Sequence, residues 1–122
     1  MTAKSESERP PAHRRRARRL LPVVWTDRAL SDLEAIGDYI ASDDLGAAQC
    51  WVMRLIAVAA RAAAAPQAGR RVPELGRDDI REVFLRSYRV VYRVTAKRLE
   101  VVTVFEGHRL FPHDLDPASE ET

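Results

Sequence analysis

Two arginines set at alternating positions are the first residues in this chain with a chemistry to offer. Ser87–Val94 reads SYRVVYRV, with Arg89 and Arg93 separated by Val91 and interleaved with Tyr88, Val90, Tyr92 and Val94. Successive strand side chains point to opposite faces, so one face collects tyrosine and valine and the other collects arginine. Arg109, beyond the next apolar run, approaches the arginine face, as does Arg81 or Arg86 from the preceding one. A guanidinium recognises planar carboxylates and phosphates through paired N–H donors. Three readings stand open on this pattern. The face is solvated, its arginines pairing with Glu82 and Glu100 across strands; or it is a cationic site that cuts RNA; or it seats a protein partner.

Other chemistry is sparse. Glu106 and His108 form one acid–base pair by type, but residues two apart at a strand end also simply share a solvent direction. The three histidines, His13, His108 and His113, and the single cysteine, Cys50, have no metal-ligand spacing. No glycine-rich phosphate loop and no nucleophile elbow is present. Neither a metal nor a cofactor is expected.

The elements that must hold the arginines follow from periodicity. Leu21–Trp25 is a short β-like run. Thr26 is a helix N-cap with Asp27 in the first turn. Ala29, Leu30, Leu33, Ile36, Tyr39 and Ile40 then recur at helical spacing to about Ser42. Asp44 caps a second helix, about Leu45–Ala64, with Trp51, Leu55, Ala59 and Ala62 in one stripe and Pro66 and Gly69 beyond its end. So short a link between helices makes an antiparallel helical hairpin. After a Pro-, Gly- and charge-rich connection, 65–79, come three strands, Ile80–Arg86, Tyr88–Val94 and Leu99–Phe105, the first two joined tightly. The expectation is an α+β fold of order β-α-α-β-β-β, an antiparallel sheet (N-terminal strand plus three-stranded meander) packed on the hairpin.

Charge divides the chain. Residues 1–22 hold seven Lys/Arg and two Glu, whereas residues 23–122 hold thirteen Lys/Arg and sixteen Asp/Glu. The sequence pI of about 9.0 therefore belongs to a tail. Residues 1–20 read as a disordered basic arm offering nonspecific nucleic-acid contact or merely a solvated extension, 21–112 as the folded domain and 113–122 as an acidic tail. One cysteine fits a reducing cytoplasm. The longest apolar stretch, Leu55–Ala64 broken by Arg61, falls short of the roughly 20 residues that span a bilayer.

Taken together, WTDRALSDLEAIGDYIA, RRVPELG, IREVFLRSYRVVYRV and LEVVTVFEGHRL, in this order and spacing over about residues 22–112, resemble the RelE/ParE superfamily of type II toxins, and within it the ParE branch. The resemblance implies a helical hairpin on an antiparallel sheet, and a small antitoxin whose C-terminal segment wraps the toxin. An acidic, amphipathic segment would suit an arginine-bearing sheet and the hairpin. The resemblance also implies one of two activities: metal-independent cleavage of ribosome-bound mRNA, or inhibition of DNA gyrase. For the nuclease it implies Arg89 and Arg109 as phosphate-stabilising groups, with His108 as an acid. Glu82 and Phe84 occupy the positions where RelE-type nucleases carry lysines, and no tyrosine follows Arg109. The expectation is thus a gyrase-binding toxin without catalytic residues, using Arg86, Arg89, Arg93 and Arg109 as a partner-binding face. Its alternatives are the mRNA endonuclease and a non-toxic member that only binds the antitoxin.

Overall fold

A computed structural model describes residues 20–108 and 111–112. The basic arm (apart from Leu20), Arg109 and the acidic tail lie outside the described residues. Strand β1, Val23–Trp25, leads into helix α1, Asp27–Ala41, and helix α2, Leu45–Ala62. A short 3-10 turn, Pro66–Ala68, precedes β2, Arg70–Arg71; then follow β3, Ile80–Leu85, β4, Tyr88–Val94, and β5, Leu99–Glu106. The expected α+β class and order hold, with β2 as a two-residue addition inside the connection.

Local chemistry sets the helix starts. The Thr26 hydroxyl accepts from the Ala29 N–H at 3.1 Å, and an Asp44 carboxylate oxygen accepts from the Ala47 N–H at 3.0 Å. Each satisfies one of the donors a helix leaves unpaired at its first turn. Thr26 also stitches the helix to the sheet, donating its backbone N–H to the Val101 carbonyl at 3.1 Å. Between the helices Gly37 permits close approach: a Cβ there would lie 3.1 Å from Val52 Cγ2.

The sheet runs β1-β5-β4-β3-β2. Its direction corrects one expectation. β1 pairs with β5 in parallel, Val23 opposite Leu99, while every other pairing is antiparallel. The sheet is therefore mixed, because the helical hairpin carries the chain back before the meander begins and sets β1 beside the last strand.

One face of the sheet packs on the hairpin. Ala29 and Leu33 from α1, and Leu55, Val58, Ala59 and Ala62 from α2, meet Tyr88, Val90, Tyr92, Leu99, Val101 and Val104. Among the described helices α2 alone is long and apolar enough to cross a membrane; its buried stripe is the core of this layer. Trp51 and Tyr88 meet edge to face at 5.6 Å. The Tyr92 hydroxyl donates to the Pro66 carbonyl at 2.7 Å, so the connection after α2 is pinned to the core. A bulge interrupts the β4–β5 ladder: Val91 pairs with Thr103 and Tyr92 with Val101, leaving Val102 unmatched. The extra residue reverses side-chain parity. Val104 thereby joins the helix-facing core, and Phe105 turns to the other face.

That other face is covered too. Val72, Ile80, Val91 and Phe105 form a second buried cluster, with Leu75 and Phe111 packed on it. The open arginine face expected from alternation is thus roofed by the 72–76 segment and Phe111, since the far side of β4 carries valine as well as charge.

Candidate functional site

The roof is built by RRVPELG. Arg70 donates from Nε and Nη2 to Glu82 Oε2, at 2.8 and 2.5 Å. Arg71 Nη2 donates to the Gly76 carbonyl at 2.8 Å. Val72 is wholly buried, and the N–H groups of Leu75 and Gly76 both return to its carbonyl. Gly76 has φ +62°, the left-handed conformation glycine accepts without strain. This turn carries Glu74 over the sheet.

Arg89 lies beneath it, with 5% of its surface exposed. Its Nε donates to Glu82 Oε1 at 2.7 Å, and its two terminal nitrogens donate to the two oxygens of Glu74 at 3.0 and 2.8 Å. The guanidinium also lies over the rings of Phe105 and Phe111, at 5.1 and 5.6 Å. The bonds to Glu74, then Glu82, outweigh burial and raise the Arg89 pKa. The bond from Arg89 in turn holds the Glu74 carboxyl below its ordinary range. Arg89 is permanently charged and internally neutralised; an incoming phosphate would have to displace a bidentate carboxylate.

Arg93, 4% exposed, is opposite Glu100 and bonds it from Nε at 3.1 Å, while Arg98 Nε takes the other carboxylate oxygen at 2.6 Å. Glu82 and Glu100, the two acids suggested as cross-strand partners, do pair with these arginines. Arg89 and Arg93 are consequently core ion pairs, and neither is presented to solvent as a cationic seat. The reason is geometric: the far face has a lid, and a charge under a lid needs a partner.

Arg86 is different. It is exposed, forms the first residue of the Arg86–Ser87 turn between β3 and β4, and has φ +56°. His108 is exposed, with Nε2 3.4 Å from Glu106 Oε1, beside the same turn. Arg109 lies outside the described residues, so the trio Arg89, His108 and Arg109 is not assembled within them. No cluster of three or more metal-ligating side chains occurs among the described residues.

Two features were not named from sequence. Glu74 and Arg70, which close the Arg89 site, sit in RRVPELG, a motif of the resemblance whose residue types by themselves signal only turns; the distance in sequence from Glu74 to Arg89 matches no local repeat. The second is the outer groove of the hairpin. Between α1 and α2 are depressions of about 490 Å³ beside Leu30, Leu33 and Val52, and about 300 Å³ beside Ala41, Leu45 and Met53. Leu45 and Met53 are 65% and 64% exposed, and Glu34 and Asp38 stand at the rim.

Residues 23–111 match the family described as "ParE toxin of type II toxin-antitoxin system, parDE". A relative from Caulobacter vibrioides, Toxin RelE2, is 38% identical over 89 residues, covering 72% of this chain and 97% of its own. A solved chain of the chromosomal ParDE system from P. aeruginosa shares the fold at 20% identity, with a TM-score of 0.60 over 71% of this chain and 96% of its own. With its family match spanning both helices and all five strands, the chain belongs to the ParE family, within the RelE/ParE superfamily of type II toxin–antitoxin toxins.

Proposed function

We propose that this toxin inhibits DNA gyrase by direct binding, without catalysis of its own, in the cytoplasm, and that a cognate antitoxin neutralises it. The observation that carries this reading is the Arg89 guanidinium, closed between Glu74 and Glu82. Stabilising a developing dianionic phosphate needs donors aimed at it and a net positive site. Here Arg70 and Arg89 are balanced by Glu74 and Glu82, and Phe84 adds no charge. The geometry therefore favours a binding protein over a nuclease.

In this reading the antitoxin's seat is the hairpin groove, not the buried arginine pairs. Exposed Leu30 on α1 and exposed Leu45 and Met53 on α2 offer an apolar surface to an amphipathic segment. The acids at the rim, Glu34 and Asp38, select basic flanks on that segment. Occupation of the groove stabilises the toxin by mass action. The arginine-rich residues 1–22 add salt-dependent, nonspecific contact with nucleic acid.

Purified toxin at saturation is expected to block supercoiling by gyrase while in-vitro translation continues without codon-positioned cuts. Normal supercoiling sinks the gyrase reading. Codon-positioned cuts by primer extension replace it with the mRNA endonuclease. Expression without antitoxin that leaves growth unaffected identifies a member that only binds its antitoxin.

A further inference from the structure

Among the described residues the sheet arginines are accounted for one by one, and a single one is left over. Arg70, Arg89, Arg93 and Arg98 bond glutamates. Arg71 bonds the Gly76 carbonyl, Arg77 bonds Asp79, and Arg81 bonds Asp78 and the Gly69 carbonyl. Arg86 alone among the described arginines of the sheet and its turns makes no hydrogen bond or ion pair within the described residues.

Its backbone is also the costly one. Arg86 is the one described non-glycine residue with positive φ, at the first of two central turn residues. Hairpin turns of this kind take glycine there. A long cationic side chain in that conformation adds strain without a hydrogen bond or ion pair to any described residue in return, the pattern of a residue kept for something outside the fold.

The turn is tied to the residue that follows β5. The Gly107 N–H donates to the Ser87 carbonyl at 2.5 Å, and a Cβ on Gly107 would lie 3.0 Å from that oxygen. Two residues before Arg86, Phe84 is 48% exposed, with the Arg70 guanidinium 5.2 Å from the centre of its ring. Among the described residues around them, Arg70 and Arg89 are paired with Glu74 and Glu82, and Glu106 lies opposite Tyr88 at the end of β5, so three cations, Arg86 included, stand against three anions. A row of phosphates gains little from a neutral patch. One carboxylate beside an apolar surface fits it: a charge-assisted bond to Arg86 with Phe84 as the adjoining apolar contact.

The geometry points to the β3–β4 turn as the target-docking surface of this toxin, with Arg86 engaging a carboxylate on a protein target. It rests on the reading of the chain as a toxin with a protein target, and it assigns the target to a surface separate from the antitoxin's groove.

R86G and R86K test it in the full-length chain. R86G removes the charge and relieves the left-handed strain, so its Tm equals or exceeds wild type by up to about 5 °C. Its growth arrest without antitoxin and its gyrase inhibition fall at least about tenfold, the loss of one charge-assisted bond. R86K melts like wild type and keeps inhibition within about threefold, since the positive charge remains. Full toxicity in R86G overturns the proposal, and a clearly lowered Tm in R86G overturns the strain argument. If wild type arrests growth while supercoiling is untouched, gyrase is not the target, and the turn is judged on growth arrest alone. A wild-type chain that does neither overturns both. Salt-sensitive binding of a single-stranded RNA 20-mer by wild type that R86G abolishes assigns the turn to nucleic acid and overturns the protein target.

Discussion

Glu82 and Arg89, opposite sides of the β3–β4 hairpin, form a 2.7 Å ion pair in which the glutamate side chain has no exposure and the arginine side chain 6%. Removing one member of a buried pair strands the other, at about 3–5 kcal/mol; replacing both with apolar groups is often neutral. E82A is therefore expected to cost about 3 kcal/mol in urea unfolding. E82L/R89L should recover most of that loss, and a double variant as unstable as E82A contradicts the accounting.

Glu74 gives the pair an acid limb. Its folded pKa lies below the ordinary 4.5 because Arg89 bonds the carboxylate. A depressed carboxyl stabilises the fold above its unfolded pKa, and that contribution disappears as pH falls through the folded value. Wild-type stability should thus decline below about pH 4.5 more steeply than that of E74Q. Because the Glu74 side chain is 39% exposed, E74Q at pH 7 should cost no more than about 1 kcal/mol. Parallel acid limbs in the two proteins would remove Glu74 from the pH response.

Asp32 seals the edge that β1 leaves uncovered. β1 pairs with β5 only over Leu99–Val101, and beyond it one Asp32 oxygen accepts from Thr103 Oγ1 at 2.5 Å and the Val104 N–H at 3.1 Å. D32A leaves that N–H without its acceptor and is expected to cost about 1–3 kcal/mol. Amide exchange at Val104 should quicken with it, whereas D32N, which keeps a carbonyl acceptor, should protect most of the bond. Unchanged Val104 exchange in D32A would count against the edge role.

The hairpin groove is testable apart from the fold. L45D/M53D places two charges where exposed apolar side chains now stand. Thermal stability should move by less than about 1 kcal/mol, the usual range for surface changes. Affinity for the co-purified antitoxin should fall at least about tenfold. Wild-type affinity in this variant moves the antitoxin's seat elsewhere.

Much of the scaffold was legible because its causes are local. Thr26 and Asp44 cap helices through bonds to N–H groups three residues ahead, and that spacing is written in the chain. SYRVVYRV separates Tyr88, Val90 and Tyr92 from Arg89, Val91 and Arg93 by the period of a strand, and the first set does face the helices. Even the acids suggested for pairing, Glu82 and Glu100, are the ones the arginines meet.

The use of the arginine face was not legible. The parallel entry of β1 depends on which strand lies beside it, which no side-chain pattern encodes. The bulge at Val102 turns Phe105 away from the face that strict alternation assigns it. Glu74 reaches Arg89 only because Val72 and Leu75 anchor a turn over the sheet.

The sequence by itself determined periods, caps and the set of available charges, since these depend on neighbours within a few residues. Tertiary structure decided which arginines have anything left to bind. Pairing between distant segments buries and neutralises Arg89 and Arg93, and leaves Arg86 exposed, at positive φ and unpaired among the described residues.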